Sequence, residues 1–279
     1  MATARPPGLQ DAAAPPLNAH VDGHPPTDLR ASVAPDPSSV RGRATQEENG
    51  PLIYLLIFAG DKQRAVRVAA SIRARDPHAI IIEVDILNDL NAQDVLDPVV
   101  ALKLLMMLVD AKVDVMLIAC DCASFSVAAG GDEQDARFQL RSKEECWGIE
   151  PVPADWKWYL IKKNALVNFT SDAIELSEGS DVAWLNEHPP DYGDPDTDYY
   201  WEKFKNWASI YDTPRFSYMR YRAAKQTFDQ GAKGAPWRGK TTLWGCRDAG
   251  PELKAEFAHA QCSPYGSHEI VARGRNEYG

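Results

Sequence analysis

The stretch PLIYLLIFAGD, residues 51–61, restricts the fold of this chain more than any other. Leu52 to Ile57 form a run of six residues without polar alternation. A strand needs such a run only where both of its faces are covered, as in a parallel sheet flanked by helices. The segments that follow fit that arrangement. KQRAVRVAASIRARD sets Ala65, Val68, Ala69 and Ile72 on one helical face and stops at Asp76-Pro77. AIIIEVDI predicts a second buried strand that ends in acids. DVLDPVVALKLLMMLVDAK predicts a helix whose first turn holds Asp97-Pro98, where proline's missing N–H costs nothing. VDVMLIAC predicts a third strand, WKWYLIKKNALVNFTSDAIELS another helix, and DVAWLNE a fourth strand. Strands and helices in this alternation predict an α/β sheet, mostly parallel, with helices on both faces.

Sheets of this kind hold ligands beyond the carboxyl ends of their strands. That rule singles out Phe58, Ala59, Gly60 and Asp61 after the first strand, and Glu83 and Asp85 after the second. It adds Asp121 and Cys122 after the third, and Glu187 and His188 after the fourth. Acids in such positions also cap helices, so each has a structural role to weigh against a chemical one.

The rest of the chain sets outer bounds. Its 279 residues suffice for one large domain or two small ones. Residues 1–50 are rich in Pro, Ala, Ser and Asp, lack apolar periodicity, and read as a disordered leader or linker before an α/β domain over 51–279. Within that domain, 200–279 reads as a less regular, locally basic part. No apolar run approaches the length of a membrane span and the N-terminus lacks a secretory signal. The expectation is an intracellular protein, cytoplasmic or nuclear, with no membrane partner. Five irregularly spaced cysteines argue for reduced thiols rather than a disulfide framework. The net charge of −10 excludes condensation of the whole molecule on nucleic acid. Between Arg215 and Arg247, however, Arg220, Arg222, Lys225, Lys233, Arg238 and Lys240 are accompanied by a single acid, Asp229. This segment reads either as a local basic surface or as an ordinary solvated face.

The order of these strand-end motifs resembles the catalytic domain of the cytosine-5 DNA methyltransferases. It is more closely similar to the diverged methyltransferase-like domains of algal and protist retroelement proteins. IFAGD resembles the first motif of that family, which implies contact of Phe58 with S-adenosylmethionine and close approach of the backbone at Gly60. IEVD resembles the second, whose acid binds the ribose hydroxyls; Glu83 is the better match and Asp85 the alternate. Asp94, in AQDVLD, matches an acid near the adenine amino group. CDCASFS resembles the Pro-Cys motif and implies Cys122 as nucleophile. LNEHPPDYGD resembles the Glu-Asn motif and implies Glu187 as the acid that grips a flipped base. GAPWRGKTTLW resembles the late motif that carries an arginine near the nucleophile, here Arg238. The resemblance spans about Leu52 to Leu243 and implies a Rossmann-like methyltransferase sheet, S-adenosylmethionine as cofactor and DNA as partner.

The chemistry explains why these residue types would converge. Carbon 5 of cytosine becomes nucleophilic once a thiolate adds at carbon 6 while an acid is hydrogen-bonded at ring nitrogen 3. A base then removes the carbon-5 proton and the thiol leaves. The target base must first leave the helical stack.

The chain departs from the family at several of the same places. Lys62, Gln63 and Arg64 stand where further glycines are usual, Asp121 replaces the proline before the nucleophile, His188 the asparagine, and Trp237 a glutamine. A carboxylate beside Cys122 opposes its thiolate. These departures support an alternative, a catalytically silent nucleic-acid or protein-binding module within a mobile-element polyprotein. A third reading is an unrelated α/β enzyme whose strand-end acids serve another small molecule. Cys246, His259, Cys262 and His268 do not reproduce a paired-ligand spacing, so no metal site is expected. The tryptophans serve either as core residues or as platforms for bases.

Overall fold

A computed structural model of the chain describes residues 50–60, 68–90, 92–120, 123–125, 139–152, 154–233 and 240–257. The expected leader lies outside them. Among the described residues, six strands form one sheet: β1 (Ile53–Ile57), β2 (Ile80–Val84), β3 (Val115–Ile118), β4 (Ala183–His188), β5 (Ala224–Asp229) and β6 (Lys240–Gly245). Their order is β2-β1-β3-β4-β6-β5. The pairs β2–β1, β1–β3 and β3–β4 are parallel, whereas β6 runs antiparallel to both β4 and β5. The sheet is therefore mixed but broadly Rossmann-like. Its parallel part coincides with the four apolar runs of the sequence.

Among the described residues, five α-helices accompany the sheet: α1 (Val68–Arg75), α2 (Pro98–Val109), α3 (Ala154–Gly179), α4 (Pro214–Met219) and α5 (Gly250–Phe257). The start of α2 follows its sequence signal. The Asp97 carboxylate accepts from the N–H groups of Val99 (2.8 Å) and Val100 (3.1 Å), and Pro98 occupies the first turn.

Register assigns the strand residues to faces. Met116 pairs with Trp184 and Asn186 with Trp244; with Leu55 and Ile118 these line one face, and all six are at most 2 % exposed. α2 and α3 pack there, where Leu104, Leu108, Ala173 and Ile174 join the same core. The opposite face carries Leu56, Leu117, Leu185 and Leu243, with α1 towards one side and α5 against β5. On this face a Cβ at Gly245 would lie 2.7 Å from Leu185 Cδ2 and 3.2 Å from Trp184 O, so a larger residue there would have to displace the Leu185 side chain.

The chain order also turns at a definite point. From β1 the chain runs outward to β2, then crosses back to β3 on the other side of β1. The gap between the carboxyl ends of β1 and β3 is therefore the topological switch point, the usual ligand crevice of such sheets.

Candidate functional site

At the switch point, β1 ends in two residues with positive φ. Phe58 has φ 60° and Gly60 φ 80°, a left-handed conformation that glycine adopts freely and phenylalanine only at a cost. Local hydrogen bonds hold the turn. Phe58 N and Ala59 N both donate to Val84 O, at 2.9 and 3.3 Å. Gly60 N donates to Asp85 Oδ2 at 2.8 Å, Leu87 N to Asp85 Oδ1 at 2.9 Å, and Asn88 Nδ2 to Gly60 O at 3.0 Å. Asp85 N in turn donates to Gln93 Oε1 at 2.9 Å. The buried Asp85 carboxylate thus ties the end of β1 to the end of β2. Of the two acids offered by the second motif, it is Asp85 that meets Gly60. Glu83 lies earlier on β2, opposite Leu56. Asp94 accepts from Leu96 N at 2.9 Å in a turn of its own.

Between α1 and α5 the sheet face opens into a cleft of about 570 Å³. Its floor is Leu56, Leu117, Leu185 and Leu243, and Phe58, Ala59 and Ala119 line it at the strand ends. Among the described lining residues only Arg75 and Glu187 are ionisable. Glu187 faces this cleft because it shares the side of β4 occupied by Leu185. The next residue, His188, points to the opposite side. There His188 is 1 % exposed and lies edge-on to Phe125 and Tyr211, with ring centroids 6.1 and 5.6 Å away.

The Glu187 carboxyl accepts a hydrogen bond from the Thr241 hydroxyl on β6. Burial raises its pKa above the ordinary carboxyl value, and the Thr241 bond opposes that only in part. Glu187 is therefore set to hold its proton at a higher pH than a solvated acid. The same shift has a consequence for stability. A carboxyl whose folded-state pKa is raised favours folding below about pH 4.5, its unfolded value, and that contribution is lost as pH rises through the folded value. Burial moves Asp191 and Asp212 in the same direction. In urea melts at a series of pH values, Glu187→Gln should make the fall in stability above pH 4.5 shallower. An unchanged slope would show that Glu187 titrates as a solvated acid.

Sequence reasoning missed two polar residues in this region. Thr241 belongs to a strand that the apolar pattern did not reveal. Arg141 is 2 % exposed, donates from Nη1 to Cys146 O at 2.7 Å, and sets its guanidinium 4.2 Å from the Phe125 ring centroid. Burial lowers its pKa to about 10. Nothing in the local sequence distinguishes this arginine from a solvated one.

The expected site residues separate into groups. Phe58 and Glu187 share the cleft, Gly60 and Asp85 are bonded to each other beside it, and Glu83 and Asp94 do not line it. Cys122 and Arg238 lie outside the described residues, as do Asp121, Trp237, His259, Cys262 and His268. Cys120 is 3 % exposed and belongs to the core. Much of the basic segment is engaged within the molecule. Arg215 meets Asp172 at 2.5 Å and Glu175 at 2.8 Å, Arg220 lies 3.5 Å from Asp191, and Lys240 lies 3.4 Å from Asp229. Trp184 and Trp244 are core residues, while Trp158 and Trp201 are exposed. Among the described residues, no helix is long and apolar enough to cross a membrane.

No family model matches the chain, and no curated protein matches it. Among solved structures it is similar to the crystal structure of a protein described as a DNA modification methyltransferase encoded within a prophage (E. coli). The identity is 13 % and the TM-score 0.29, over 71 % of this chain and 47 % of that one. The chain spans about half the length of that protein. The fold stands on the strand order and register above, not on a likeness of this size.

Proposed function

We propose that the chain is an S-adenosylmethionine-binding, methyltransferase-like domain that acts on cytosine carbon 5 in DNA, with Cys122 as nucleophile and Glu187 as the assisting acid. The observation that carries this reading is the shared cleft of Phe58 and Glu187. Two motifs far apart in the sequence, assigned separate roles by the resemblance, open on one cavity at the carboxyl ends of parallel strands. The roles of Cys122 and Arg238 rest on the resemblance alone.

The residues present suit the cofactor. The Asp85 carboxylate commits acceptor sites to Gly60 N and Leu87 N. It is nearly buried and does not line the cleft, so it serves the site by holding the turn at Gly60 rather than by meeting the cofactor. The cleft volume of about 570 Å³ falls within the usual range for small-molecule sites. Phe58 supplies an aromatic face at its mouth. Bound there, S-adenosylmethionine would supply an electrophilic methyl group. The protein's own part is to hold the target ring, add the Cys122 thiolate at carbon 6, and keep a proton available to ring nitrogen 3 from Glu187. The raised pKa of Glu187 suits that last task, because the group must act as a hydrogen-bond donor near neutral pH.

DNA containing 5-fluorocytosine tests the reading, since fluorine at carbon 5 blocks the final elimination. With cofactor present, the protein is expected to form a covalent adduct that survives denaturing electrophoresis. Cys122→Ser should abolish it. No adduct, under conditions where an active cytosine-5 methyltransferase forms one, would leave the silent module as the better account.

A further inference from the structure

We propose that Thr241 is the positioning residue of Glu187: its hydroxyl engages one carboxyl oxygen, so that the proton Glu187 carries sits on the other oxygen, the one left for the cleft. The use of that proton in catalysis rests on the methyltransferase reading, whereas the arrangement itself does not.

Strand register brings the two side chains together. Glu187 of β4 lies opposite Leu243 of β6, and Thr241 stands two residues along β6 from Leu243. Residues two apart on a strand share a face, and a diagonal neighbour on the next strand is within reach of a long side chain. Thr241 is therefore on the cleft side, beside the carboxyl end of β4, and its hydroxyl donates to Glu187 Oε1. The threonine itself is held. It is 3 % exposed, on a strand paired along both edges, opposite Phe228 of β5, whose ring stacks on Phe257 of α5 at 4.3 Å. A β-branched side chain in that setting has little χ1 freedom, so its oxygen keeps one place.

A threonine hydroxyl has one proton to donate. Two acceptors lie near it, Glu187 Oε1 and His188 O, and the second is 3.4 Å away, a poor distance for a hydroxyl donor. The Thr241 proton therefore points at Oε1. A proton gained by the carboxyl goes to Oε2, because on Oε1 it would force the hydroxyl round to the poorer acceptor.

The bond contributes direction rather than proton affinity. A donor to a carboxyl favours the ionised form, which for Glu187 works against the burial that keeps the proton on. A group needed only to stay protonated would be better served by an apolar neighbour. Other groups leave the assignment to Thr241. Arg75 of α1 also lines the cleft, α5 presents Leu253 and Phe257, Lys240 turns to Asp229, and Tyr211 is affected by the Glu187 charge without bonding to it. Glu187 thus offers the cleft a donor, which selects a ring presenting an acceptor nitrogen over one presenting N–H.

Infrared and carbon-13 NMR titration of the full chain, without cofactor or DNA, test the proposal, with Glu187→Gln identifying the signals. Thr241→Val, which keeps the shape and removes the hydroxyl, should raise the Glu187 midpoint by about one pH unit, the scale of a hydrogen bond to a charged group. Below the midpoint its C=O stretch should move to higher frequency, since the carbonyl oxygen no longer accepts. Thr241→Ser should restore both. Thr242→Val removes a buried hydroxyl from the other face of β6 and should change neither. An unmoved midpoint or stretch in Thr241→Val, or equal shifts in Thr242→Val, would overturn the proposal. Where the wild type forms the 5-fluorocytosine adduct, Thr241→Val should form it at least about tenfold more slowly although it holds the proton more tightly. A rate equal to the wild type's would overturn the positioning role. A wild type that forms no adduct counts against the methyltransferase reading, and the spectra then decide on Thr241.

Discussion

Trp244→Ala is expected to destabilise the protein by about 3–5 kcal/mol, the usual cost of emptying a large aromatic site in a packed core. Trp244 is 2 % exposed and stacks on Tyr211 with ring centroids 4.5 Å apart and planes 15° from parallel. It sits opposite Asn186 of β4 and Lys225 of β5, so its side chain packs where the antiparallel hairpin joins the parallel half of the sheet. Urea denaturation followed by far-ultraviolet circular dichroism measures the loss. The effect should reach the candidate site, because β6 also carries Thr241, the hydrogen-bond donor to Glu187. Trp201→Ala provides the contrast: that ring is 55 % exposed, and its removal should cost less than about 1 kcal/mol. Equal losses from the two substitutions would contradict the assignment of Trp244 to the structural core.

The parallel half of this fold was legible because continuous apolar runs have few other uses in a chain of this composition. β1 and β3 lie in the middle of the sheet, carry apolar side chains on both faces, and announce themselves as PLIYLLI and VDVMLIA. The antiparallel hairpin was not legible. AKQTFD and KTTLWG carry lysines and threonines that read as a polar surface. In the folded protein Thr241 and Thr242 are buried, and Thr242 is 2.8 Å from Thr227 across the pair, so hydroxyls satisfy one another where an apolar pattern was awaited.

The candidate site divides in a similar way. That Glu187 and His188 point to opposite faces follows from strand alternation once β4 is recognised. That Asp85 rather than Glu83 meets Gly60 depends on where β2 ends, the kind of boundary a sequence leaves loose. The basic segment was misleading in isolation, since the acids that meet Arg215, Asp172 and Glu175, lie about 40 residues earlier on α3. Nor did periodicity reveal that α1 leaves Val68 54 % exposed at the edge of the cleft.

The second large effect is expected at Asp85. Its carboxylate receives two backbone N–H groups in a nearly buried setting. Asp85→Ala leaves both donors without that partner, a loss of about 2–4 kcal/mol given the cost of unpaired buried groups and charge-assisted bonds. Asp85→Asn retains one carbonyl oxygen and should lose roughly half as much. The turn at Phe58 and Gly60 depends on those bonds, so cofactor affinity should suffer more than stability. At a temperature where the variant is still folded, Asp85→Ala is expected to bind S-adenosylmethionine at least 30-fold more weakly than the wild type. A variant that loses stability but keeps full affinity would confine Asp85 to a structural role.

Calorimetric titration of the wild-type chain with S-adenosylmethionine tests the functional account most directly. A saturable, one-to-one heat of binding is expected, lost in Asp85→Ala and retained in Trp201→Ala. A folded wild-type protein that gives no binding heat up to millimolar cofactor would contradict the account, and the cleft shared by Phe58 and Glu187 would then belong to a different ligand.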